Sequence, residues 1–404
     1  MERLFENSGK LKRISIYEII DFISNVSKNF IESENFEKIL KEISKNTDYS
    51  EEIVKTGIKN AFLPFQDKKN IKKILRIEIG NEKFLDEWIK IDKNIYLKAI
   101  SPPFINAVFS GNIPGIEIEV IFPALLSKTC IYAKPSYKMH YFLKEFKNYL
   151  EKNFKDFSNF IEIEIFKREE EGELIRFLKN TEILVIQGEK RSINEIKKYV
   201  SENVKVIEYP SMFGAGILKF KDFSKEILKN LSLDIFLYNH RGCMSPFIIF
   251  IEEGIDFEEF CVIIDKNIKS LKEKFNAKEI NLDEKIRRRQ IVDSLLFDKD
   301  LLIKDLEFKF IKTKKIIDLF FPGIIQAIYY KKVSEVFELL FPFKDFLQAF
   351  SLSSYDREIV DFVSEKTSCI RITKWGKMQF PGIFFPNKGN FGIKQFIKFC
   401  VLEK

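Results

Sequence analysis

The stretch from Asn106 to Ala133, NAVFSGNIPGIEIEVIFPALLSKTCIYA, decides the fold class of this chain. It begins with a short apolar run typical of a strand and continues through the turn Ser110–Gly115. An apolar helix over 116–126 and a second strand over 129–133 follow. This succession of strand, turn, helix and strand is the unit from which parallel sheets are built. The stretch therefore predicts a mostly parallel sheet covered by helices.

The same alternation of strands and helices continues downstream, whereas the sequence before it has a helical pattern. Strand-like runs at 161–166 and 183–186 alternate with helical patterns at 141–154 and 193–200. The first 95 residues are predicted to be mainly helical, because their apolar positions recur at spacings of three and four. We expect an α/β fold with a helical N-terminal segment.

The centre of the chain places a cysteine in a polar loop, Asn239-His-Arg-Gly-Cys-Met-Ser-Pro246. The thiolate is the reactive form of a cysteine, and His240 or Arg241 beside Cys243 would favour it. A structural cysteine is the alternative, since free cysteine often packs as a small hydrophobe. The loop position favours function. Apolar runs, interpreted as strands, flank the loop at 233–238 and 246–251.

Composition narrows the classes of protein that the chain can be. Its 404 residues include 67 basic and 60 acidic side chains, a net charge of +7, and 45% are hydrophobic. These proportions are globular and exclude a disordered or collagen-like chain. The charge is spread along the chain, which argues against a nucleic-acid partner. The sequence contains no apolar run of about 18 residues that would predict a membrane span, and no signal peptide is visible. We therefore expect a cytoplasmic protein.

The cysteines and histidines offer no metal site. The five cysteines are scattered without a CxxC pair, and His140 and His240 are the only histidines. A zinc site needs three or four soft ligands brought together, and an odd, scattered set of cysteines argues against a disulfide framework. We therefore expect no metal.

Two further segments carry glycine after a strand-like run. The turn Ser110–Gly115 suits a ligand site at the carboxyl edge of a parallel sheet. Gly188 ends the run 183–188, and Ser192 and Glu195 follow with the spacing of a helix capping box. Free N–H groups at such a helix start can hold a phosphate. An ordinary strand-to-helix connection is the alternative for both segments.

Two later segments are assigned without a function. Arg287-Arg288-Arg289 is interpreted as a solvated helix face. Residues 391–399 are predicted to form the last helix of the chain.

These motifs, in this order, resemble the acyl-CoA reductase of the bacterial bioluminescence fatty-acid system, a branch of the aldehyde dehydrogenase superfamily. With the helical N-terminal segment, the resemblance spans nearly the whole chain. No single motif decides it, and the ordered set is what makes it specific. The resembling stretches are Thr47–Ser50, Gly111–Gly115, Lys134–Ser136, Ile186–Gly188, Gly242–Pro246, Arg371 and Gly376–Pro381.

The resemblance implies an aldehyde dehydrogenase-like architecture. A helical segment and a doubly wound, dinucleotide-binding domain would occupy residues 1–212. A smaller α/β domain with the catalytic cysteine would occupy residues 213–370, and a tail over 371–404 would return to the cofactor domain.

The resemblance also implies a mechanism. Cys243 would attack the thioester carbonyl of an acyl-CoA, expel coenzyme A and form an acyl-enzyme, which a nicotinamide coenzyme reduces to an aldehyde. Asn112 would donate a hydrogen bond to the developing oxyanion. His240 would be either a base or a structural imidazole. The cofactor-binding residues would be Lys134, Ser136 and Gly188.

Two departures from the superfamily pattern refine this picture. Phe213–Gly216 has no acid where aldehyde-oxidising members carry a water-activating glutamate, which favours transfer to or from coenzyme A over hydrolysis. Tyr137 and Lys138 stand where NAD-preferring members carry an acid. A lysine there would attract a 2′-phosphate, which favours NADPH, with NADH as the alternative.

The leading interpretation is thus the NADPH-dependent reduction of a fatty or medium-chain acyl-CoA to the aldehyde. One alternative is a CoA-acylating aldehyde dehydrogenase working in the oxidative direction, and another is a non-catalytic scaffold that keeps the fold. By analogy with the luminescence relatives, an acyl-activating synthetase or an acyl-transferase would be a partner. The oligomeric state stays open.

Overall fold

The chain divides into two compact units. The computed structural model describes residues 2–382 and 392–404. Unit 1 comprises Met1–Thr47, Val54–Ser211 and Gly382–Lys404, and unit 2 comprises Asp48–Ile53 and Met212–Pro381. The short segment Asp48–Ile53 therefore belongs to unit 2, although the residues on both sides of it belong to unit 1.

The described part of unit 1 contains two sheets. Their strands are β1 (Ile89–Asp92), β2 (Ile95–Ile100), β3 (Phe104–Val108), β4 (Cys130–Lys134), β5 (Ile161–Ile163), β6 (Ile183–Gly188), β7 (Lys205–Pro210) and, at the chain end, β15 (Lys398–Glu403). One sheet is parallel, in the order β5-β4-β3-β6-β7, and the other is antiparallel, in the order β1-β2-β15. The parallel order reverses between β3 and β6, as in a doubly wound sheet.

The helices of unit 1 include the predicted N-terminal segment, α1–α5, which is confirmed. Its N-caps are polar residues such as Ser33, whose hydroxyl accepts from the N–H of Phe36. The helices are α1 (Glu2–Arg13), α2 (Ile16–Asn29), α3 (Glu34–Asn46), α4 (Glu51–Phe62, whose first three residues belong to unit 2), α5 (Lys68–Ile79), α6 (Ile118–Leu126), α7 (His140–Asn153), α8 (Lys155–Ser158), α9 (Glu171–Leu178), α10 (Lys190–Lys197) and α16 (Gly392–Gln395).

An aromatic cluster joins the N-terminal helices to α7. At its centre is Phe30, which is fully buried just after α2. Removing such a ring costs about 3–5 kcal/mol of folding free energy. The cluster therefore fixes the N-terminal helices on the rest of unit 1. Ring centroids 5.0–6.3 Å from that of Phe30 belong to Phe36, Phe62, Phe142, Phe146 and Tyr149.

Unit 2 is built on a seven-stranded sheet. Its strands are β8 (Phe213–Leu218), β9 (Pro246–Glu252), β10 (Leu302–Asp305), β11 (Lys309–Thr313), β12 (Ile324–Tyr330), β13 (Leu347–Leu352) and β14 (Arg371–Lys374). The order is β10-β11-β12-β9-β8-β13-β14, and all pairs are parallel except β10 with β11. The central strands β8, β9 and β13 are buried almost throughout. Continuous burial is typical of parallel sheets covered on both faces.

The helices of unit 2 are α11 (Lys225–Phe236), α12 (Phe257–Lys274), α13 (Leu282–Leu295), α14 (Val333–Leu340) and α15 (Arg357–Lys366). The α/β fold class with parallel sheets is confirmed. Within residues 2–382 and 392–404, no helix is long and apolar enough to span a bilayer.

The interpretation of residues 233–238 as a strand is wrong. Residues 233–236 form the last turn of α11, which begins after the N-cap Ser224. A short apolar run does not separate a buried strand from a buried helix end. The buried Leu228, Leu231 and Ile235 recur at helical spacing, and this longer pattern decides the structure.

The predicted last helix is also wrong for most of its length. Only Gly392–Gln395 is helical, whereas Lys398–Glu403 forms strand β15 (residue 391 lies outside the described residues). Strand β15 pairs antiparallel with β2. Strand β2 lies some three hundred residues earlier in the chain, so the local sequence of residues 398–403 does not predict the pairing.

Candidate active site

Three predicted binding segments lie at the carboxyl edge of the parallel sheet of unit 1. The register pairs Val108 of β3 with Lys134 of β4 and with Ile186 of β6. The turn Gly111–Gly115 follows β3, and Gly188 ends β6. The carboxyl ends of these strands are neighbours at the reversal of strand order, where α/β sheets bind their ligands.

The turn that carries Asn112 is held by close packing. A Cβ on Gly111 would lie 2.5 Å from the Ser136 hydroxyl oxygen, and one on Gly115 would lie 2.9 Å from the Cα of Ile58. Gly115 also has a φ of +87°, which L side chains rarely adopt. Asn112 is exposed on this turn. Glycines that admit close neighbours on both sides therefore determine where Asn112 stands.

Lys134 has a half-buried ammonium group at the same edge. Its Nζ lies 4.8 Å from the centre of the Phe166 ring, a favourable cation–π contact. Burial lowers the pKa of Lys134, and the charge of Glu169 opposes that shift. A partly desolvated cation interacts more strongly with an anionic ligand than one in bulk water does.

Gly188 leaves the backbone open at the end of β6. Its φ is +150°, and a Cβ there would meet no atom within 4 Å. Such open space lets a ligand approach the main chain. The capping box predicted for Ser192 and Glu195 is wrong, because α10 begins at Lys190 and Ser192 lies inside it. Glu195 instead pairs with Arg191 one turn earlier, at 3.3 Å.

Cys243 lies on a tight turn between α11 and β9 in unit 2. The N–H of Ser245 donates to the carbonyl of Gly242 at 2.9 Å and closes the turn, and Cys243 is half-buried. The three residues that lead into it, 238–240, have φ values of +55°, +54° and +62°. This conformation costs residues with a Cβ roughly 1–2 kcal/mol each, so other contacts must hold it.

An ion-pair cluster holds the residue two positions before Cys243. The Arg241 guanidinium donates to Asp48 Oδ1 at 2.7 Å and to Glu284 Oε2 at 3.1 Å. Next to Asp48, the Tyr49 hydroxyl donates to the carbonyl of Tyr238 at 3.3 Å. Two carboxylates thus accept hydrogen bonds from the single cation of Arg241. The cluster restrains the left-handed segment from the side of residues 48–53.

Arg288 belongs to the same cluster, and its assignment to a solvated helix face is wrong. Its side chain is buried, donates to Glu284 at 2.6 Å, and lies 5.6 Å from the Phe308 ring. A carboxylate and an aromatic ring compensate the burial of this guanidinium. The run of three arginines alone does not indicate this pairing, because the partner, Glu284, lies outside the run, one turn earlier on α13.

His240 is fully buried with both ring nitrogens engaged. Its Nδ1 accepts from the N–H of Gly323 at 3.0 Å, and its Nε2 donates to the carbonyl of Pro246 at 3.2 Å. Burial lowers the pKa of His240 to about 3. Of the two roles expected for His240, this geometry favours the structural imidazole. It ties the left-handed segment to β9.

The glycine-containing strand β8 lies directly beside the Cys243 turn. A Cβ on Gly214 would lie 2.4 Å from the carbonyl oxygen of Met244, and one on Gly216 would lie 2.4 Å from the Trp375 ring. Both glycines are therefore required by close neighbours. Residues 213–216 are buried and carry no acid.

Sequence reasoning gave no role to several residues that shape this site. Asp48 and Gln379 are remote from Cys243 in sequence, and hydrogen bonds to Arg241 and Ser245 bring them to its turn. Asp234 on α11 accepts the N–H of Met378, next to Gln379. Asp48 and Gln379 stand in stretches that carry the family resemblance, and that was the one signal available for them. Asp234 stood inside an apolar run, where a buried acid is an exception.

Known structures share this fold. Lactaldehyde dehydrogenase has 11% identity, covers 100% of this chain and 90% of its own, and gives a TM-score of 0.75. GapN from Methanocaldococcus jannaschii, complexed with NADP, has 14% identity, coverages of 100% and 93%, and a TM-score of 0.77. An aldehyde dehydrogenase from Bartonella henselae has 13% identity, coverages of 100% and 90%, and a TM-score of 0.73. At such low identity these likenesses show the aldehyde dehydrogenase-like fold alone.

The sequence itself matches a family. No curated protein sequence matches the chain significantly. The family model described as Acyl-CoA reductase (LuxC) matches residues 11–391, a span that includes the Asn112 turn and the Cys243 turn. Because this match runs through nearly the whole chain, the protein belongs to the LuxC family of acyl-CoA reductases.

Proposed function

We propose that the protein reduces a fatty or medium-chain acyl-CoA to the aldehyde, with NADPH as reductant and Cys243 as nucleophile. The observation that carries the proposal is the half-buried Cys243 on a restrained turn in a chain of the LuxC family. Membership of that family and the aldehyde dehydrogenase-like fold support an oxidoreductase that acts on acyl or aldehyde groups. The identity of the nucleophile and of the coenzyme belongs to the proposal.

The other cysteines are poorer candidates for the nucleophile. Burial raises the pKa of Cys130, Cys261 and Cys369 to about 12. A thiol with so high a pKa holds almost no thiolate at neutral pH. Cys400 is half-buried on strand β15, outside the stretches of sequence that carry the family resemblance.

The proposed chemistry has two stages. The Cys243 thiolate attacks the carbonyl carbon of the thioester, the carbon–sulfur bond to coenzyme A breaks, and the leaving thiolate takes up a proton. The backbone N–H of Cys243 and the side-chain amide of Asn112 donate to the oxyanion. A bound nicotinamide coenzyme supplies the hydride for the acyl carbon. Release of the aldehyde returns the Cys243 thiolate.

The carboxyl edge of unit 1 fits a dinucleotide with an additional phosphate. Gly188 exposes the backbone, and Lys134 contributes a cation. Lys138 is exposed, and the Lys167 ammonium lies 5.6 Å from the Tyr137 ring. With the ribose bound at Lys134, the side chains of Lys138 and Lys167 would attract the 2′-phosphate of NADPH. The related fold of GapN was solved in complex with NADP.

The decisive experiment measures aldehyde formation from acyl-CoAs of increasing chain length, with NADPH and NADH compared. Cys243→Ala should lose activity by about 10³-fold or more, since nucleophile removal has effects of this size. Cys400→Ala is the matched control, because it removes another half-buried thiol and should retain activity.

Acylation provides a second readout that does not need the coenzyme. Incubation with an acyl-CoA alone should add the mass of one acyl group to the wild type and none to Cys243→Ala. A folded wild type that forms no adduct and no aldehyde would contradict the proposal and favour a non-catalytic scaffold.

A further inference from the structure

A buried carboxylate anchors the segment that follows β14. Asp234 on α11 is fully buried, and its carboxylate accepts the N–H of Gly376 at 2.5 Å and the N–H of Met378 at 3.0 Å. Gly376 has a φ of +87°, which a glycine adopts without strain. The two hydrogen bonds fix a turn that presents the next residue, Gln379, to the interior of unit 2.

Gln379 connects this anchored segment to the Cys243 turn. Its side chain is 2% exposed, and its Nε2 donates to the hydroxyl of Ser245 at 2.9 Å and to the carbonyl of Asp234 at 3.4 Å. A backbone carbonyl can only accept, so the contact with Asp234 sets the orientation of the amide. The amide therefore acts as a donor toward the turn that carries Cys243.

The amide oxygen of Gln379 faces the other end of the same turn. Within the described residues Oε1 has no hydrogen-bond partner, and a Cβ on Gly242 would lie 2.7 Å from it. Buried amide oxygens are rarely left unpaired. An apolar side chain of the same length would remove this unpaired atom, but it would also remove the hydrogen bond to Ser245. The unpaired Oε1 is thus the cost of placing the Nε2 donor of Gln379 against Ser245.

Ser245 transmits the position of Gln379 to the backbone around the nucleophile. Its N–H closes the turn onto Gly242 at 2.9 Å, and its carbonyl accepts the N–H of Gly214 in β8 at 2.8 Å. The residue after Gln379 is fixed too, because the Arg371 guanidinium donates to the carbonyl of Phe380 at 2.8 Å. Ser245 is thereby held by groups from two distant segments, strand β8 and the segment of Gln379.

We propose that Gln379 is a positioning residue for Cys243, because its amide fixes the Gly242–Ser245 turn. In this way it sets the direction of the Cys243 thiol and of the backbone N–H. This inference rests on the proposed function only in taking Cys243 as the nucleophile. Gln379 acts through Ser245 and is not itself a catalytic residue.

The test compares two buried glutamines of unit 2. Gln379→Met keeps the length of the side chain and removes the amide. Gln326→Met is the matched control, since Gln326 is also fully buried and its amide forms three hydrogen bonds, of 2.8, 2.9 and 3.1 Å, to Ile317 and Leu319. The readouts are the alkylation rate of Cys243 by iodoacetamide across pH, followed on its own peptide by mass spectrometry, and kcat, KM and Tm.

Gln379→Met should slow Cys243 alkylation and lower kcat by about tenfold or more, because small displacements of a reacting group have large effects. The KM for NADPH should change little. Gln326→Met should lose comparable Tm and keep the alkylation rate of the wild type. Equal alkylation rates in the two variants would overturn the inference. If Gln379→Met does not fold, Ser245→Ala removes the other end of the same hydrogen bond and should show the same slow alkylation.

Alkylation requires neither acyl-CoA nor coenzyme, so the two proposals fail separately. A wild type that reduces no acyl-CoA, together with slow alkylation in Gln379→Met, would overturn the proposed function and support the positioning role. An active wild type with unchanged alkylation in Gln379→Met would support the function and overturn the positioning role.

Discussion

The turn that carries Asn112 is held by close packing against glycines, whereas the turn that carries Cys243 packs against Gly214 and is held by polar partners as well. In unit 1, close packing against glycines fixes residues 111–115. In unit 2, the ion pairs of Arg241 restrain the backbone before Cys243, and the amide of Gln379 donates to Ser245 after it. A sterically held turn fails when an atom is added, whereas a turn held by polar partners fails when one is removed. The following predictions test this difference.

The largest effect is expected from Arg241→Met. The variant leaves Asp48, only 12% exposed, without its cation and leaves Glu284, 11% exposed, with Arg288 alone. Breaking a buried pair in this way costs about 3–5 kcal/mol of unfolding free energy, measurable by urea denaturation. Arg191→Met, which removes an arginine that is 87% exposed, should cost less than about 1 kcal/mol. Equal losses would show that the charge cluster does not hold the turn.

The next effect is expected from Gly115→Ala in the other turn. The added Cβ would lie 2.9 Å from the Cα of Ile58 at a backbone φ of +87°. Strain and overpacking together should lower the unfolding free energy by about 2–4 kcal/mol. Gly9→Ala in α1 has no atom within 4 Å of the added Cβ. It should stabilise the protein by about 0.5–1 kcal/mol, because alanine suits a helix interior. Two changes of the same sign would contradict the steric explanation.

Glu117, two residues after the Asn112 turn, should make the unfolding free energy depend on pH. Glu117 is buried, and burial raises its pKa from 4.5 to about 8. Between these values the folded state keeps a proton that the unfolded state releases. Stability should therefore fall by about 1.4 kcal/mol per pH unit as the pH rises through this window. Glu117→Gln should lose this component in denaturation curves measured against pH. Parallel curves for the two proteins would contradict the assignment.

A smaller effect is expected from Lys138→Glu at the carboxyl edge of unit 1. The exposed charge would change from attraction to repulsion of a 2′-phosphate. The ratio of kcat/KM for NADPH over NADH should fall by about tenfold, consistent with roughly 1 kcal/mol per exposed charge pair. Lys144→Glu, an exposed lysine on α7, is the control and should leave the ratio unchanged. A preference that does not move would remove Lys138 from coenzyme selection.

The smallest effect is an absence of titration at His240. Replacing His140 by Gln leaves His240 as the one imidazole in the proton NMR spectrum. With its pKa lowered to about 3, the ring should stay neutral and its signal should not move between about pH 5 and 8. The unfolded state would take up this proton below about pH 6.5, so stability should fall as the pH falls from there. A midpoint inside the measured range would restore His240 as a candidate base.

Much of the fold could be predicted from local sequence patterns. The alternation of strands and helices in unit 1 and the helical N-terminal segment follow from periodicity and from turn glycines such as Gly111 and Gly115. Strand β15 and the end of α11 could not, because one depends on a distant partner and the other on a pattern longer than the apolar run.

The candidate site was predictable only in part, for the same reason. Glycine-rich turns announce themselves locally, so the segments around Asn112, Gly188 and Cys243 stood out. The groups that hold Cys243, among them Asp234 and Gln379, act through hydrogen bonds between segments far apart in sequence. A buried acid or amide has no local signature that distinguishes it from a surface one.

The membership of Asp48–Ile53 in unit 2 has a consequence for dissecting the protein. A continuous fragment from Met212 to Pro381 would leave Arg241 without Asp48, and the carbonyl of Phe275 without the Ser50 hydroxyl that donates to it at 2.6 Å. Expression of that fragment should yield an incomplete fold, which a synthetic peptide spanning 48–53 could rescue when added in trans. On the ribosome, this hexapeptide emerges well before the rest of its unit has been synthesised.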